Sequence, residues 1–191
     1  MTLGSSRPRQ RYLTQQEVQM NPSLSAIVVM GVAGCGKSSV GAAIATRSGG
    51  RLIEGDAFHP AANIAKMSAG IPLTDEDRWP WLARVGAELA QHPPAVVACS
   101  ALKRAYRDAL RAQAPQAPFV LLSADATQIE AQVSARQGHF MPPALLQSQL
   151  AALEPLGDDE QGITIEVDAA PEVLVERMLR RYGIRFVSAS S

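Results

Sequence analysis

Short apolar runs alternate with amphipathic stretches along most of the chain, and that alternation predicts its architecture. Ala26 to Met30, Arg51 to Glu54, Ala95 to Cys99, Phe119 to Leu122 and Ile163 to Val167 read as strands. The β-branched Ala26 to Met30 run is of the kind found in strands covered on both faces of a parallel sheet. Between the runs the apolar period lengthens to that of a helix. Ser38 to Arg47 is Ala-rich and helix-favouring. In Leu102 to Gln113, Leu102, Ala105, Tyr106, Ala109 and Leu110 share one face while Lys103, Arg104, Arg107 and Arg111 share the other. A last helix is expected from about Pro171 to Tyr182. Strand and helix in alternation imply right-handed βαβ units, hence an α/β fold with a doubly wound, parallel five-stranded sheet and helices on both faces. Such a sheet takes its ligands at the carboxyl ends of its strands.

The ends of the chain stand outside this pattern. Residues 1–24 carry Arg7, Arg9 and Arg11 with Ser, Gln and Pro and lack the apolar centre of a signal peptide; they are expected to be a mobile extension, with Met20 a candidate natural start. Residues 184–191 are expected to be a frayed tail, which leaves one domain over 25–183.

Composition narrows the function classes. The 18 basic and 18 acidic residues cancel, so the concentrated basic face of a nucleic-acid binder is not expected. No apolar run approaches the roughly 18 residues that would span a membrane. Cys35 and Cys99 are too few for a disulfide framework, which suggests a reducing cytoplasm. A small-molecule ligand is the remaining expectation.

Its chemistry is written after the first strand. Gly31-Val32-Ala33-Gly34-Cys35-Gly36-Lys37-Ser38 fits G-x-x-x-x-G-K-[ST], a loop whose backbone N–H groups, with Ser39 and the helix that follows, cradle a polyphosphate. Lys37 would reach the β- and γ-phosphates and the Ser38 hydroxyl would ligate Mg²⁺. The guanine-reading N-K-x-D of a GTPase is absent, the D-x-x-G at Asp159 to Gly162 precedes a strand instead of following one, and the third strand leads to Ser100 where a Walker B would place Asp. A small-molecule kinase fits better. The stretch Glu54-Gly55-Asp56-Ala57-Phe58-His59-Pro60 adds two carboxylates beside that loop, suited to holding Mg²⁺ (Glu54) and to orienting or deprotonating a hydroxyl (Asp56). The alternative for Asp56 is a helix cap.

These residues, with Asn63, Lys66-Met67, Gly70, Pro72-Leu73, Asp75, Asp77-Arg78, Pro80-Trp81-Leu82, then Cys99 to Lys103, Tyr106-Arg107-Asp108 and Arg136 to Met141, resemble the gluconate kinase (gluconokinase) family from about Ala26 to Arg181. The phosphate loop is widely shared; the H-P, D-R-x-P-W-L, C-S-A-L-K and R-x-G-H-F-M blocks in this order are far more specific. The resemblance implies the P-loop kinase fold of the nucleoside monophosphate kinase and shikimate kinase group, ATP-dependent phosphorylation of D-gluconate on its 6-hydroxyl with Mg²⁺, and a homodimer.

Gluconate is a carboxylate with a polyol tail, so its site should offer a cation and several hydrogen-bonding groups. Arg78 is the first choice for the carboxylate and Lys66 the alternative. His59 and Asn63, spaced as on one helical face, would bond sugar hydroxyls, and Lys103 and Arg107 would point toward the phosphate or the gluconate. Gly138 and the proline pair suggest a short lid near 136–143 in which Arg136 is the catalytic cation; His139 beside it joins the substrate residues on the family's pattern. Similar kinases place another arginine one turn before the lid cation, where this chain has Gln132. The competing readings are a kinase for another polyol acid, such as shikimate, and a nucleotide-binding regulatory protein without turnover.

Overall fold

The computed structural model describes residues 26–125, 129 and 143–182. Its strands are β1 (Ala26–Met30), β2 (Arg51–Glu54), β3 (Ala95–Ala98), β4 (Phe119–Ser123) and β5 (Gly162–Glu166). They form one sheet in the order β2-β3-β1-β4-β5, with every neighbouring pair parallel. Each expected strand is present, its ends displaced by at most one residue. The helices are α1 (Lys37–Ser48), α2 (Ala61–Ser68), α3 (Asp75–Gln91), α4 (Arg104–Gln113), α5 (Pro143–Ala152) and α6 (Pro171–Tyr182), with a 3₁₀ turn at Gly55–Phe58 between β2 and α2.

The doubly wound arrangement follows from β1, whose five residues are all buried. Successive side chains of a strand point to opposite faces. Ile27 and Val29 therefore pack with Val40 and Ile44 of α1 and with Leu174, Val175 and Met178 of α6. Ala26, Val28 and Met30 pack on the other side with Trp81, Leu82 and Val85 of α3 and with Tyr106 and Leu110 of α4. Each such large apolar side chain contributes roughly 1.5–3 kcal/mol on burial, so β1 is held from both sides. It is also where the winding reverses: the chain passes from β1 to β2, returns to fill the gap with β3, then crosses β1 to reach β4. A reversal of this kind opens a crevice at the carboxyl ends of the strands.

One helix departs from expectation. α4 starts at Arg104 with Lys103 as its N-cap, and besides packing Tyr106 and Leu110 into the core it is bonded through Arg107 to residues 154–160. Ala105, expected on the apolar face, is exposed, while Arg107 of the polar face is buried. Among the described residues, no helix is long and apolar enough to cross a membrane. The two terminal segments, Gln132, Arg136, His139 and most of the expected lid lie outside the described residues.

Candidate active site

Between β1 and α1 the chain must turn sharply while lying close to β4. Gly31 has φ of 141°, and a Cβ there would fall 2.9 Å from the Leu122 carbonyl oxygen. Only glycine fits. Val32 and Cys35 tuck their side chains into the core beneath the loop, so with Gly31 they offer a ligand backbone alone; Ser39 is exposed. Gly36, at φ of 94°, caps α1 without a side-chain hydrogen bond, and the helix start, with its unpaired N–H groups, opens onto a cleft lined by Ala33, Gly34, Gly36, Lys37 and Ser38. Lys37 Nζ donates to the Val32 carbonyl at 2.9 Å, and among the described residues no carboxylate is paired with it. Ser38 Oγ donates to Glu54 Oε2 at 3.0 Å, and Glu54 ends β2. A hydroxyl and a carboxylate side by side beneath a phosphate site suit Mg²⁺, which keeps several waters and accepts one or two protein oxygens besides the phosphates.

The cleft, about 440 Å³, continues from the loop to a second wall made by the 3₁₀ turn, α2 and α3. Gly55 sets the start of this wall, since a Cβ there would lie 2.8 Å from the Ala98 carbonyl oxygen of β3. Trp81 Nε1 donates to the Gly55 carbonyl at 2.8 Å and pins the turn from α3. Asp56 then projects into solvent at the cleft, its side chain 82% exposed. It is not a helix cap: α2 is capped by Pro60 without a side-chain hydrogen bond. Beneath the turn, Cys99 is fully buried, and burial together with the Asp56 charge pushes its thiol up to about 12, so it stays protonated.

His59 precedes α2 instead of sharing its face with Asn63, yet the two side chains meet. Asn63 Nδ2 donates to the Asp77 carbonyl at 2.8 Å and lies 3.3 Å from His59 Nδ1. An amide N–H aimed at Nδ1 requires that nitrogen to accept, which leaves the proton on Nε2, 4.0 Å from Asp56 Oδ1. Burial lowers the His59 pKa; the nearby Asp56 charge opposes this and Arg78 adds to it. The ring is stacked on Trp81, centroids 4.2 Å apart. His59 thus lines the cleft as a neutral imidazole, while Asn63, 3% exposed, is occupied in holding it.

The expected cations separate. α3 opens with a capping box between Thr74 and Asp77 and places Asp75, Glu76 and Asp77 in its first turn. Two of these carboxylates capture lysines: Lys66 Nζ lies 2.7 and 2.8 Å from the Asp77 oxygens, and Lys103 Nζ 2.8 and 3.0 Å from those of Asp75. The lysine hydrogen bonds hold both carboxyls below their ordinary range, and the pairing with Asp75 raises Lys103. Arg78 differs. Its Nη1 donates to the Leu73 carbonyl at 2.7 Å and to Tyr106 Oη at 3.1 Å, with Asp75 no closer than 3.8 Å, and it lines the cleft.

Arg107 is a correction to the sequence reading. Its guanidinium, 1% exposed, is enclosed by Glu160 at 2.6 Å on two oxygens and by the carbonyls of Leu102, Glu154 and Pro155 at 3.1, 3.1 and 3.2 Å. Arg111 and the Gly157 N–H also donate to Glu160, at 2.6 and 2.9 Å. Burial raises the Glu160 pKa, but these bonds outweigh it and leave the carboxyl at about 2. The cluster clamps α4 to the segment before β5, away from the cleft. Gln149 of α5 is a cleft residue that the sequence did not suggest: its Oε1 accepts the Ala33 N–H of the phosphate loop at 2.7 Å.

Residues 27–156 match the family model described as an AAA domain. A gluconokinase from Gluconobacter oxydans is 44% identical over 174 residues, covering 89% of this chain and 98% of the relative. The crystal structure of a gluconokinase from Sinorhizobium meliloti 1021 superposes with a TM-score of 0.76 at 50% identity, covering 84% of this chain and 92% of that one. A sugar kinase from Janibacter sp. HTCC2649 gives a TM-score of 0.81 at 45% identity over 89% of this chain and all of its own.

Proposed function

The chain belongs to the gluconokinase family, and from that premise we infer that its cleft transfers the terminal phosphoryl group of ATP to D-gluconate, yielding 6-phospho-D-gluconate and ADP. What carries this reading is one cavity lined on one side by Lys37 and Ser38 and on the other by Asp56, His59 and Arg78. Phosphoryl transfer needs positioning and charge stabilisation more than covalent help from the protein, and the two walls supply those separately.

In the proposed reaction the phosphates lie along the loop N–H groups, and Lys37 leaves the Val32 carbonyl for the phosphate oxygens. Ser38 and Glu54 would hold Mg²⁺, which supplies further neutralisation of the phosphates when bound. The 6-hydroxyl of gluconate approaches Asp56; as its oxygen bonds to the γ-phosphorus and the bond to the β-phosphate oxygen breaks, the proton passes to the Asp56 carboxylate. His59 Nε2–H faces the same space and is placed to donate to a hydroxyl of the polyol or to Asp56. Arg78 is assigned to the gluconate carboxylate, in preference to Lys66, because Lys66 is already paired with Asp77. Arg136 and His139 are proposed to close over the reacting groups from the lid. A cytoplasmic homodimer is part of the proposal.

A coupled assay of ADP release tests the reading against its rivals. Gluconate should be phosphorylated far faster than related sugar acids or shikimate. Turnover of shikimate in preference to gluconate would reassign the acceptor, and nucleotide binding with no turnover of any acid would favour a regulatory protein.

A further inference from the structure

Gln149 stands on α5, the helix that follows the lid segment, yet its side chain touches the phosphate loop. The contact fixes its orientation. A backbone N–H can only donate, so the Gln149 atom 2.7 Å from Ala33 N must be the carbonyl oxygen, as drawn. With Oε1 held there, the amide NH₂ projects from the other arm of the same planar group. Gln149 lines the cleft together with Gly34, Gly36, Lys37 and Ser38, the residues that cradle the phosphates. Among the described residues, none accepts a hydrogen bond from that NH₂. A neutral amide with its acceptor end spent on the protein and its donor end left over is suited to an anion with surplus oxygens.

Resting on the phosphate-transfer reading above, we propose that Gln149 is a nucleotide-phosphate-binding residue: the loop's Ala33 N–H orients its amide, and its NH₂ donates to a phosphate oxygen of the bound triphosphate. The role goes beyond capping. A cap would need only the oxygen, and a glutamate would serve it as well or better, because a carboxylate accepts more strongly than an amide. A phosphate ligand needs the nitrogen, and a glutamate there would set negative charge against negative charge.

Gln149→Glu and Gln149→Ala separate the two roles by the order of their effects. Affinity for a non-hydrolysable ATP analogue is measured by calorimetry on the whole chain, with magnesium and again with EDTA, so that capture of the metal by the new carboxylate cannot hide repulsion. Melting temperature without ligand is recorded for each variant. We expect Gln149→Glu to melt near the parent and to bind the analogue at least tenfold more weakly than Gln149→Ala in EDTA. Gln149→Ala itself should bind about tenfold to a hundredfold more weakly than the parent, as loss of a hydrogen bond to a charged group predicts. Binding in the order parent, Glu, Ala would overturn the proposal in favour of a cap. Parent-like binding by Gln149→Ala would overturn it whether or not Gln149→Glu folds. The readout involves no gluconate, so it stands even if the acceptor is reassigned, whereas a parent chain that fails to bind the analogue would sink the nucleotide reading and this proposal together.

Discussion

Arg78 and Arg107 lie at the starts of consecutive helices, both were expected at the substrate, and the structure gives them opposite fates. The cleft around Arg78 is built of groups with bonding capacity to spare: a lysine resting on a carbonyl, an arginine held by a carbonyl and a phenol, a largely exposed carboxylate. Around Arg107 nearly everything is spent. One carboxylate, three carbonyls and a second arginine close the network within 1% exposure of its two central groups. Charge alone does not mark a site. What marks it is charge whose neighbours leave room for a ligand.

Substitutions should therefore divide cleanly, stability on one side and turnover on the other. Arg107→Ala leaves the buried Glu160 with hydrogen bonds only from Arg111 and the Gly157 N–H and takes a donor from three carbonyls; it should cost about 3–5 kcal/mol, lowering the melting temperature on the order of 10 °C, while the folded fraction keeps the parent's ATP affinity. A weakened ATP affinity with an unchanged melting curve would erase the contrast. Lys37→Ala should do the reverse: kcat should fall about 10²–10³-fold, the loss seen when one preorganised donor to developing charge is removed, with the melting curve unmoved. Arg78→Ala should raise the KM for gluconate roughly tenfold to a hundredfold, as for loss of a charge-assisted hydrogen bond, and leave that for ATP alone. A shift in the ATP constant instead would mean the two walls are assigned the wrong way round.

The smallest effect sharpens the Arg107 side through pH. Glu160 is held at about 2 in the fold against an ordinary 4.5. A depressed carboxyl stabilises the fold fully above its unfolded value and loses that contribution as pH falls toward its folded one. The melting difference between the parent and Glu160→Gln should thus be complete at neutral pH and narrow only below about 4.5. A difference that stayed constant down to the acid limit would show that packing, not ionisation, makes the clamp.

The fold was legible because its signals are local. A β-branched run, three loop glycines and an Ala-rich stretch give β1, the phosphate loop and α1 within some twenty residues, from Ala26 to Ser48. Residue types at the site could be read for the same reason, since Lys37, Ser38 and Glu54 lie within a single βαβ unit and Asp56 in the turn directly after it. Pairings across long sequence separations could not. Arg107 and Glu160 are 53 residues apart, so helix periodicity placed Arg107 on the polar face, open to a substrate, and could not show the carboxylate that encloses it. Lys103 and Asp75 are 28 apart, and nothing near Lys103 announces that α3 will occupy it. Gln149, uncharged and 116 residues from Ala33, sits in a helix whose sequence gives no hint of a polar duty.

The ring stack of His59 on Trp81 also makes the acceptor wall optically addressable. The chain has two indoles, Trp79 and Trp81; the first is 40% exposed and the second 1%. Trp81 should emit at the blue end of the spectrum, and replacing Trp79 with Phe would isolate it. An imidazolium in face contact accepts an electron from excited indole far more readily than a neutral ring does, so emission should dim as His59 gains its proton. Burial holds that event below the ordinary histidine value of 6.5. A ligand entering beside Asp56 would move the same transition, so the intrinsic fluorescence of the unlabelled chain can count occupied acceptor sites without any turnover.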